Sequence, residues 1–403
     1  MQRTLGRFSR GLCVFTILVL MGACSAFGAS PTGDRLDRMQ ASPQYAGEGS
    51  FGNTLPMTED SWGVTELLEI MRDWGTGFGT RTPDEPVPVE VLAADDFAHP
   101  ATDLTVRWLG HSTLLIEIEG KRILTDPIWS QRASPFQWAG PGRFYPPLVN
   151  IDDLLPLDAV VISHDHYDHL DQATVVALKD RVDFYVPLGV GAHLERWGVS
   201  SARIHELDWW ESADIGGIEL VCTPARHFSG RSLTDRNRTL WASWSIIGER
   251  RRVYFGGDSG LFPELSEIGD RLGPFDMTML DTGAYSSRWP DVHMGPEQAV
   301  IAHRALRGDV LLPIHWGMFN LAFHHWVEPI ERMRALAETE GVRIAQPRPG
   351  ALVDIRAPLP VDRWWPDATW RTAEEYPVRS SHIDEAWAVR YGHPQTPAVR
   401  VGR

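Results

Sequence analysis

Between positions 104 and 354 apolar residues recur densely, and their spacing alternates between two periods. The stretch LTVRWLGHSTLLIEIEGKRILTDP alternates apolar and polar positions and breaks at Glu119-Gly120, which predicts a β-hairpin or meander. DAVVISH is a short continuous apolar run, the pattern of a buried strand. Further strands are predicted at 183–186, 218–223, 240–247, 252–255, 277–280 and 310–314. DQATVVALKD carries a helical apolar period with Asp171 placed to cap it, and helices are also predicted at 263–271, 296–306 and 327–340. Strand runs come first and strand–helix alternation follows, twice. That order predicts an α/β (α+β) chain with two sheets packed together and helices outside.

The flanks read differently. Residues 30–100 are rich in Gly, Pro and Asp, with one helical stretch, TELLEIMRDW. The surrounding SWGVTELLEIMRDWGTGFG reads either as an apolar approach to a site or as ordinary packing. The tail from 357 to 403 is rich in Trp and Pro (RWWPDATW) and predicts an irregular extension. These shifts divide the chain into 1–24, 30–100, a folded domain at 101–356, and 357–403.

The first segment has the form of an export signal. Arg3, Arg7 and Arg10 precede an apolar stretch at 11–21 that is too short to span a bilayer as an ordinary helix. It ends in LMGACS, whose small residues before Cys24 resemble a bacterial lipoprotein signal, although Met21 stands where Leu is usual. On that reading Cys24 is lipidated and the protein sits on the periplasmic side of a bacterial membrane. The alternative is a plain signal peptide cleaved near 26–29. Cys13 and Cys24 fall in or beside the signal, so Cys222 is left alone in the body and no intrachain disulfide or cysteine metal site is possible there.

Hydrophobic residues make up 43% of the chain, enough for a packed core. The net charge of −15 argues against nucleic acid as a partner, since phosphate binding rests on clustered Lys and Arg. It also removes Coulomb attraction to an anionic membrane, so access to lipid needs apolar contacts or the Cys24 anchor.

The candidate chemistry follows the run Ala159-Val160-Val161-Ile162, where SHDHYDHLD packs three histidines and three aspartates into nine residues. His164 and His166 are two apart, so an extended segment points them to one side. The chain then turns and brings Asp168 and His169 to a nearby point. Imidazole and carboxylate together suit zinc. Four such groups are too many for one open catalytic ion, and they predict a metal pair, with His164 and His166 on one ion and Asp168 and His169 on the other. Three later strands end in a single ligand type: His227 in CTPARHFS, Asp258 in VYFGGDSG and His315 in LLPIHWG. Asp258 is the natural bridge, since a carboxylate has two oxygens. Gly256, Gly257 and Gly260 let the backbone turn tightly beside it. Taken singly, a His after a strand is usually a satisfied polar residue; the ordered set is what carries the metal reading.

That order resembles the metallo-β-lactamase superfamily, whose fold is an αββα sandwich. Within it the chain is similar to the N-acyl phosphatidylethanolamine phospholipase D family through WLGHSTLLIE, LTDPIWSQRASP, GPGRF, DAVVISHDHYDHLD, ELDWWE, LWASWSIIG, YFGGDSG, IGDRLGPFD and PIHWGMF, covering 107–329. The resemblance implies two Zn2+ ions, one held by His164, His166 and His227, the other by Asp168, His169 and His315, with Asp258 bridging. It implies a shared hydroxide attacking a phosphodiester of N-acyl phosphatidylethanolamine, giving phosphatidic acid and an N-acylethanolamine, and it suggests a homodimer. Asp168 and Asp258 thereby stand as catalytic as well as metal-binding.

Asp126 and His111 are candidates to orient the metal-bound groups. The resemblance implies that His293 contacts the substrate phosphate, with Val292 before it where a polar residue is expected. Tyr167 is placed at the mouth of the site. His325 stands as a proton donor to the leaving group, or else as half of a surface pair with His324. Three readings compete with the phosphodiesterase: a lactonase or other carbonyl hydrolase with the same ligands, an RNA-processing nuclease, and a non-enzymatic metal-binding lipoprotein. The acidic balance and export disfavour the nuclease.

Overall fold

The computed structural model describes residues 25–391, apart from 48, 59–62, 66, 67, 71 and 73–79. The signal segment with Cys24 and most of the SWGVTELLEIMRDWGTGFG stretch lie outside the described residues. Those of TELLEIMRDW that are described are mostly helical. Among the described residues no helix is long and apolar enough to cross a membrane.

A short antiparallel ribbon, β1 (Tyr45–Gly47) and β2 (Ser50–Phe51), belongs to the N-terminal flank. The body is two seven-stranded sheets. The first contains β3 (Leu104–Gly110), β4 (Thr113–Ile118), β5 (Lys121–Thr125), β6 (Ala159–Val161), β7 (Phe184–Pro187) and β8 (Ile204–Leu207), closed at its β3 edge by β16 (Leu352–Asp354). The second runs from β9 (Ser212–Asp214) through β10 (Glu219–Thr223), β11 (Ser243–Ile247), β12 (Arg252–Phe255), β13 (Phe275–Asp281) and β14 (Gly308–Ile314) to β15 (Arg343–Ile344).

Alternation explains the layering. Along β6, Ala159 and Val161 join the core that the two sheets share, while Val160 and Ile162 pack in a separate outer core with Val175, Leu178 and Leu194. Those three lie on or beside the helices Gln172–Leu178 and Gly191–Arg196, which cover the outer face of the first sheet. The helices Glu264–Leu272, Pro296–Ala305 and Glu328–Glu340 pack in sequence, with Pro296–Ala305 lying against β13 and β14. A strand covered on both faces carries no polar position, which is why DAVVISH reads as a continuous apolar run. The two sheets with helices on both outer sides form the expected αββα sandwich.

The predicted turn at Glu119-Gly120 joins β4 to β5, with φ of 50° and 86°, the paired positive angles of a tight two-residue hairpin. Asp171 caps the helix Gln172–Leu178 by accepting from the Ala173 N–H. Some expectations shift. The strand predicted at 240–247 begins only at Ser243, because Leu240 and Ala242 instead give their N–H groups to Leu188 and Ser163 of the first sheet's loops. The half-polar β8, the short β9 and the helix Gly191–Arg196 were not predicted, since none carries a clear period.

Strand direction decides where function sits. β5 to β8 are mutually parallel, as are β12 to β15, and β3 and β10 run the same way as the parallel strands of their own sheets. Their carboxyl ends lie along one edge of the sandwich. Buried Trp244 ties the sheets together there, its indole N–H donating to the Ile162 carbonyl at 2.9 Å, two residues before His164. Trp244→Phe keeps the ring but orphans that carbonyl, and should cost about 1–3 kcal/mol. Urea unfolding of the metal-free protein measures it; an unchanged midpoint would show that the tie adds nothing.

Candidate metal centre

Each chemical residue arrives at that edge on its own strand. β3 delivers His111, β5 Asp126, β6 the run from Ser163 to His169, β10 His227, β12 Asp258, β13 Asp281 and β14 His315. Asp258 Oδ2 is the common point. It lies 3.0 Å from His169 Nε2, 3.1 Å from His315 Nε2, and 3.8 Å from both His164 Nε2 and His227 Nε2. Ligand atoms of His164, His166, His227 and Asp258 fall within 4.8 Å of one another, and so do those of His111, Asp168, His169 and His315. The structure therefore brings all seven sequence-predicted ligands together in two adjoining sets that meet at Asp258.

The backbone is bent to do this. His111, Asp126 and His315 take φ of 54°, 37° and 63°, a region that residues with a Cβ seldom adopt and that persists only where the surroundings enforce it. Gly257 has φ of 56° and a Cβ there would lie 2.5 Å from the Ser163 Cβ. Gly260 has an ordinary φ, but its Cβ would collide with the Asp291 carbonyl oxygen at 1.9 Å. The two glycines are needed for different reasons, one for a turn and one for close approach.

Supporting groups fix which nitrogen of each ring faces inward. Asp126, fully buried, accepts from His169 Nδ1 at 2.7 Å and from the Ser163 hydroxyl at 2.6 Å. That hydroxyl, its proton given to Asp126, accepts from His164 Nδ1 at 2.9 Å. His227 Nδ1 donates to the Val292 carbonyl at 3.0 Å. With Nδ1 committed in all three, the Nε2 lone pairs of His164, His169 and His227 are left for the centre. His111 Nε2 bonds Asp168 Oδ2 at 2.9 Å, while its carbonyl accepts from Trp108 Nε1 and from the His315 N–H. Asp126 and His111 thus stand where orienting groups are expected, and Ser163 is a relay not foreseen. Val292 contributes its backbone carbonyl to this set.

The donor set fits a metal pair. Buried His169 Nε2, His315 Nε2 and Asp258 Oδ1 have no hydrogen-bond partner despite their crowding, and a buried polar atom left so is costly. A cation between converging imidazole lone pairs and carboxylates satisfies them all. Protonation points the same way. Burial pushes His164 and His227 well below the usual imidazole range, and His111 down to about 3, so these rings are neutral. Burial opposes ionisation of Asp168 and Asp258, but neighbouring histidines, His169 first, hold both well below the usual carboxylate range. For His169 and His315 burial is outweighed by the surrounding carboxylates, Asp258 foremost. His169 is raised well above 6.5 and His315 to about 10. A metal entering the second set displaces those protons.

Asp281 was not singled out from the sequence. Fully buried, it accepts from His293 Nδ1 at 2.7 Å and lies 3.7 Å from His315 Nδ1. It follows an apolar strand as Asp258 does, and that signal would have found it. His293 sits beside the centre, its Nδ1 3.9 Å from Asp258 Oδ2. Tyr167 points outward, its hydroxyl donating to the Arg231 carbonyl and its ring under the Arg231 guanidinium. It lines a groove with Trp138 and Leu170 rather than touching the ligand atoms. His325 is buried, not a surface residue, and its Nδ1 accepts from the Val327 N–H. Among the described residues no hydrogen bond joins His325 to the centre. Its neighbour His324, stacked on Tyr285, lines the cleft beside His315 instead.

The comparisons agree with this geometry. The Beta-lactamase superfamily domain matches residues 121–316. The chain belongs to the metallo-β-lactamase superfamily. An uncharacterized protein of Mycobacterium tuberculosis is 46% identical over 365 residues, covering 89% of this chain and 97% of its own. The N-acyl-phosphatidylethanolamine-hydrolyzing phospholipase D 1 of Caenorhabditis elegans is 39% identical over 269 residues, 63% of this chain and 75% of its own. The mitochondrial N-acyl-phosphatidylethanolamine-hydrolyzing phospholipase D of Saccharomyces cerevisiae is 31% identical over 247 residues, 59% of this chain and 52% of its own. The protein is thus a metal-dependent hydrolase by family, with candidate metal ligands in place.

Asp126→Asn keeps the shape but cannot accept both donors at Oδ2, and should weaken metal binding about 10- to 100-fold in a chelator competition. Binding should also strengthen as pH rises from about 6 to about 9, with proton release into the buffer, because His169 and His315 are protonated in the metal-free chain. Calorimetry in two buffers of different ionisation enthalpy reads that release; a pH-independent affinity would contradict it.

Proposed function

We propose that the protein is a zinc-dependent phosphodiesterase of the phospholipase D type, cleaving N-acyl phosphatidylethanolamine to phosphatidic acid and an N-acylethanolamine. The reaction class rests on the two ligand sets meeting at Asp258. The substrate rests on the 39% identity to the nematode enzyme, whose matched region spans three quarters of that protein.

The first set, His164, His166 and His227, and the second, Asp168, His169 and His315, would each hold one ion, with Asp258 shared. A bound zinc pair supplies Lewis acidity to the attacked phosphodiester and lowers the pKa of water to near 7. The chain's own residues do the rest. Asp126, Ser163 and the Val292 carbonyl hold the rings of His169, His164 and His227 in one tautomer. His111 keeps Asp168 aimed at its set. Asp281 holds His293 by Nδ1, which leaves Nε2 to meet a phosphate oxygen of the substrate. Only the far side of the site, by His166, Asp168 and His293, retains partial exposure, so the phosphodiester enters there and water is otherwise excluded.

Full-length protein loaded with zinc and given N-acyl phosphatidylethanolamine in mixed micelles should release both products, read by mass spectrometry. Chelation or Asp258→Ala should abolish release, and zinc should restore it only in the unsubstituted chain. A folded protein with two zincs bound and no products would remove the lipid assignment and point to a carbonyl substrate such as a lactone.

A further inference from the structure

The segment immediately after Cys24 is built into the domain rather than hung from it. The Ser25 carbonyl accepts from Trp197 Nε1 at 2.7 Å, and its hydroxyl from Gln172 Nε2 at 2.6 Å. The Ala26 carbonyl accepts from Arg231 Nε at 2.9 Å, and the Ala29 N–H donates to His193 Nδ1 at 3.0 Å. Gly28 lies so close to His193 that a Cβ would fall 1.9 Å from its Nδ1. Arg231, itself buried, also donates to the carbonyls of Asp165 and Leu170, so the same guanidinium grips this segment and the metal-ligand loop. A flexible tether would show none of these bonds.

Around that fixed segment the surface is apolar where it stands proudest. Phe27 packs edge-on to Phe136, and Phe136 against Trp138, with ring centroids 6.3 and 5.3 Å apart. Trp138 is nonetheless 71% exposed, and Leu233 is fully exposed at the tip of the loop on the other side. The two tips flank Ala26–Pro31: the groove holding Ala26 is lined by Trp138 and Tyr167, and the hollow holding Phe27 to Pro31 is lined by Ser232 and Thr234. Val176, one helical turn beyond the groove residues Gln172 and Ala173, is exposed as well. A tryptophan and a leucine held in water at loop tips suit the boundary between headgroups and acyl chains, where an indole keeps its ring in the apolar layer and its N–H wet.

We propose that this face lies on a lipid bilayer, with Trp138 and Leu233 inserted at the headgroup boundary on either side of a lipid-modified Cys24. The proposal rests on the phospholipid reading and on lipidation of Cys24. Its occupant is set by position: acyl chains on Cys24 leave the protein one residue before Ser25, at the centre of this patch, so the bilayer they enter is the surface that covers it. A net charge of −15 offers no Coulomb attraction to anionic lipid, which leaves anchor and apolar tips as the means of contact. Two contacts fix orientation where one only tethers. Tyr167, between the ligands His166 and Asp168, forms the inner wall of the groove, so the orientation sets the metal centre a short way from the membrane.

The test uses the mature chain, cleaved before Cys24 and acylated there, in vesicles of phosphatidylethanolamine and phosphatidylglycerol. In a Leu233→Cys variant a nitroxide label should read as inserted, with collisions favouring oxygen over a water-soluble nickel chelate; Cys13 has left with the signal, the Cys24 thiol is blocked by its lipid, and Cys222 is buried. A label in water overturns the proposal, and so does label–label broadening that shows a second copy covering the patch. Separately, Trp138→Ser with Leu233→Ser should lower turnover of vesicle-borne N-acyl phosphatidylethanolamine at least tenfold and leave turnover of a water-soluble phosphodiester unchanged. Equal turnover in the double variant overturns docking and keeps the substrate. An inserted label on a protein that cleaves no lipid keeps docking and overturns the substrate.

Discussion

Everything at the edge of this sandwich depends on one constraint: ionisable groups have been buried where water cannot solvate them. His164, His169, His227, Asp258 and His315 are almost wholly buried, within a few ångströms of each other. Burying a charge without a partner costs far more than any single contact returns. The arrangement is sustained by two neighbours at once. Cations between the ligands would neutralise the carboxylates, and a rim made of the Asp126 carboxylate, the Ser163 hydroxyl and the Val292 carbonyl takes up the outward-facing Nδ1 of His169, His164 and His227.

That rim explains features that otherwise look unrelated. Asp126, at a φ of 37°, serves both Ser163 and His169 with one carboxylate. Trp244 places its indole N–H on the Ile162 carbonyl, which stitches the two sheets together beside the ligands, and Trp108 braces the His111 carbonyl within the first sheet. The flanking segments take part too. Asn53, from the N-terminal flank, exchanges two bonds with the His227 backbone, and Trp364 of the tail stacks on Trp316, next to His315. Asp291 is a further junction. It pairs with buried Arg226, accepts from the Thr58 N–H and holds Ser381 twice, so both flanks meet one residue away from His227 and two from His293. The flanks are structural walls of the site.

Reading the chain alone found the sandwich because burial on both faces and burial on one leave different periods, and both are visible without a structure. The metal ligands were legible for a related reason. A carboxylate or imidazole directly after an apolar strand breaks the pattern, and His164, His227, Asp258 and His315 all do so. Asp281 breaks it identically and was passed over, because the strand before it had no motif to draw notice. His325 was weighed over His324, and the structure places His324 in the cleft, since adjacent residues on a loop point apart and their order says nothing about which faces inward.

The sequence by itself determined most of the strand-and-helix order, the two-sheet class and the set of candidate metal-binding residue types, since each follows from local spacing or composition. Tertiary structure decided which candidate ligands lie together, which ring nitrogen of His164, His169 and His227 faces inward, and that Ser163, Asp281 and the Val292 carbonyl stand beside them. Those depend on strands far apart in the chain ending at one edge, with separations as long as the 204 residues from His111 to His315. No local pattern encodes contact across such a distance. Only the packing of one sheet on the other brings those ends within hydrogen-bond reach.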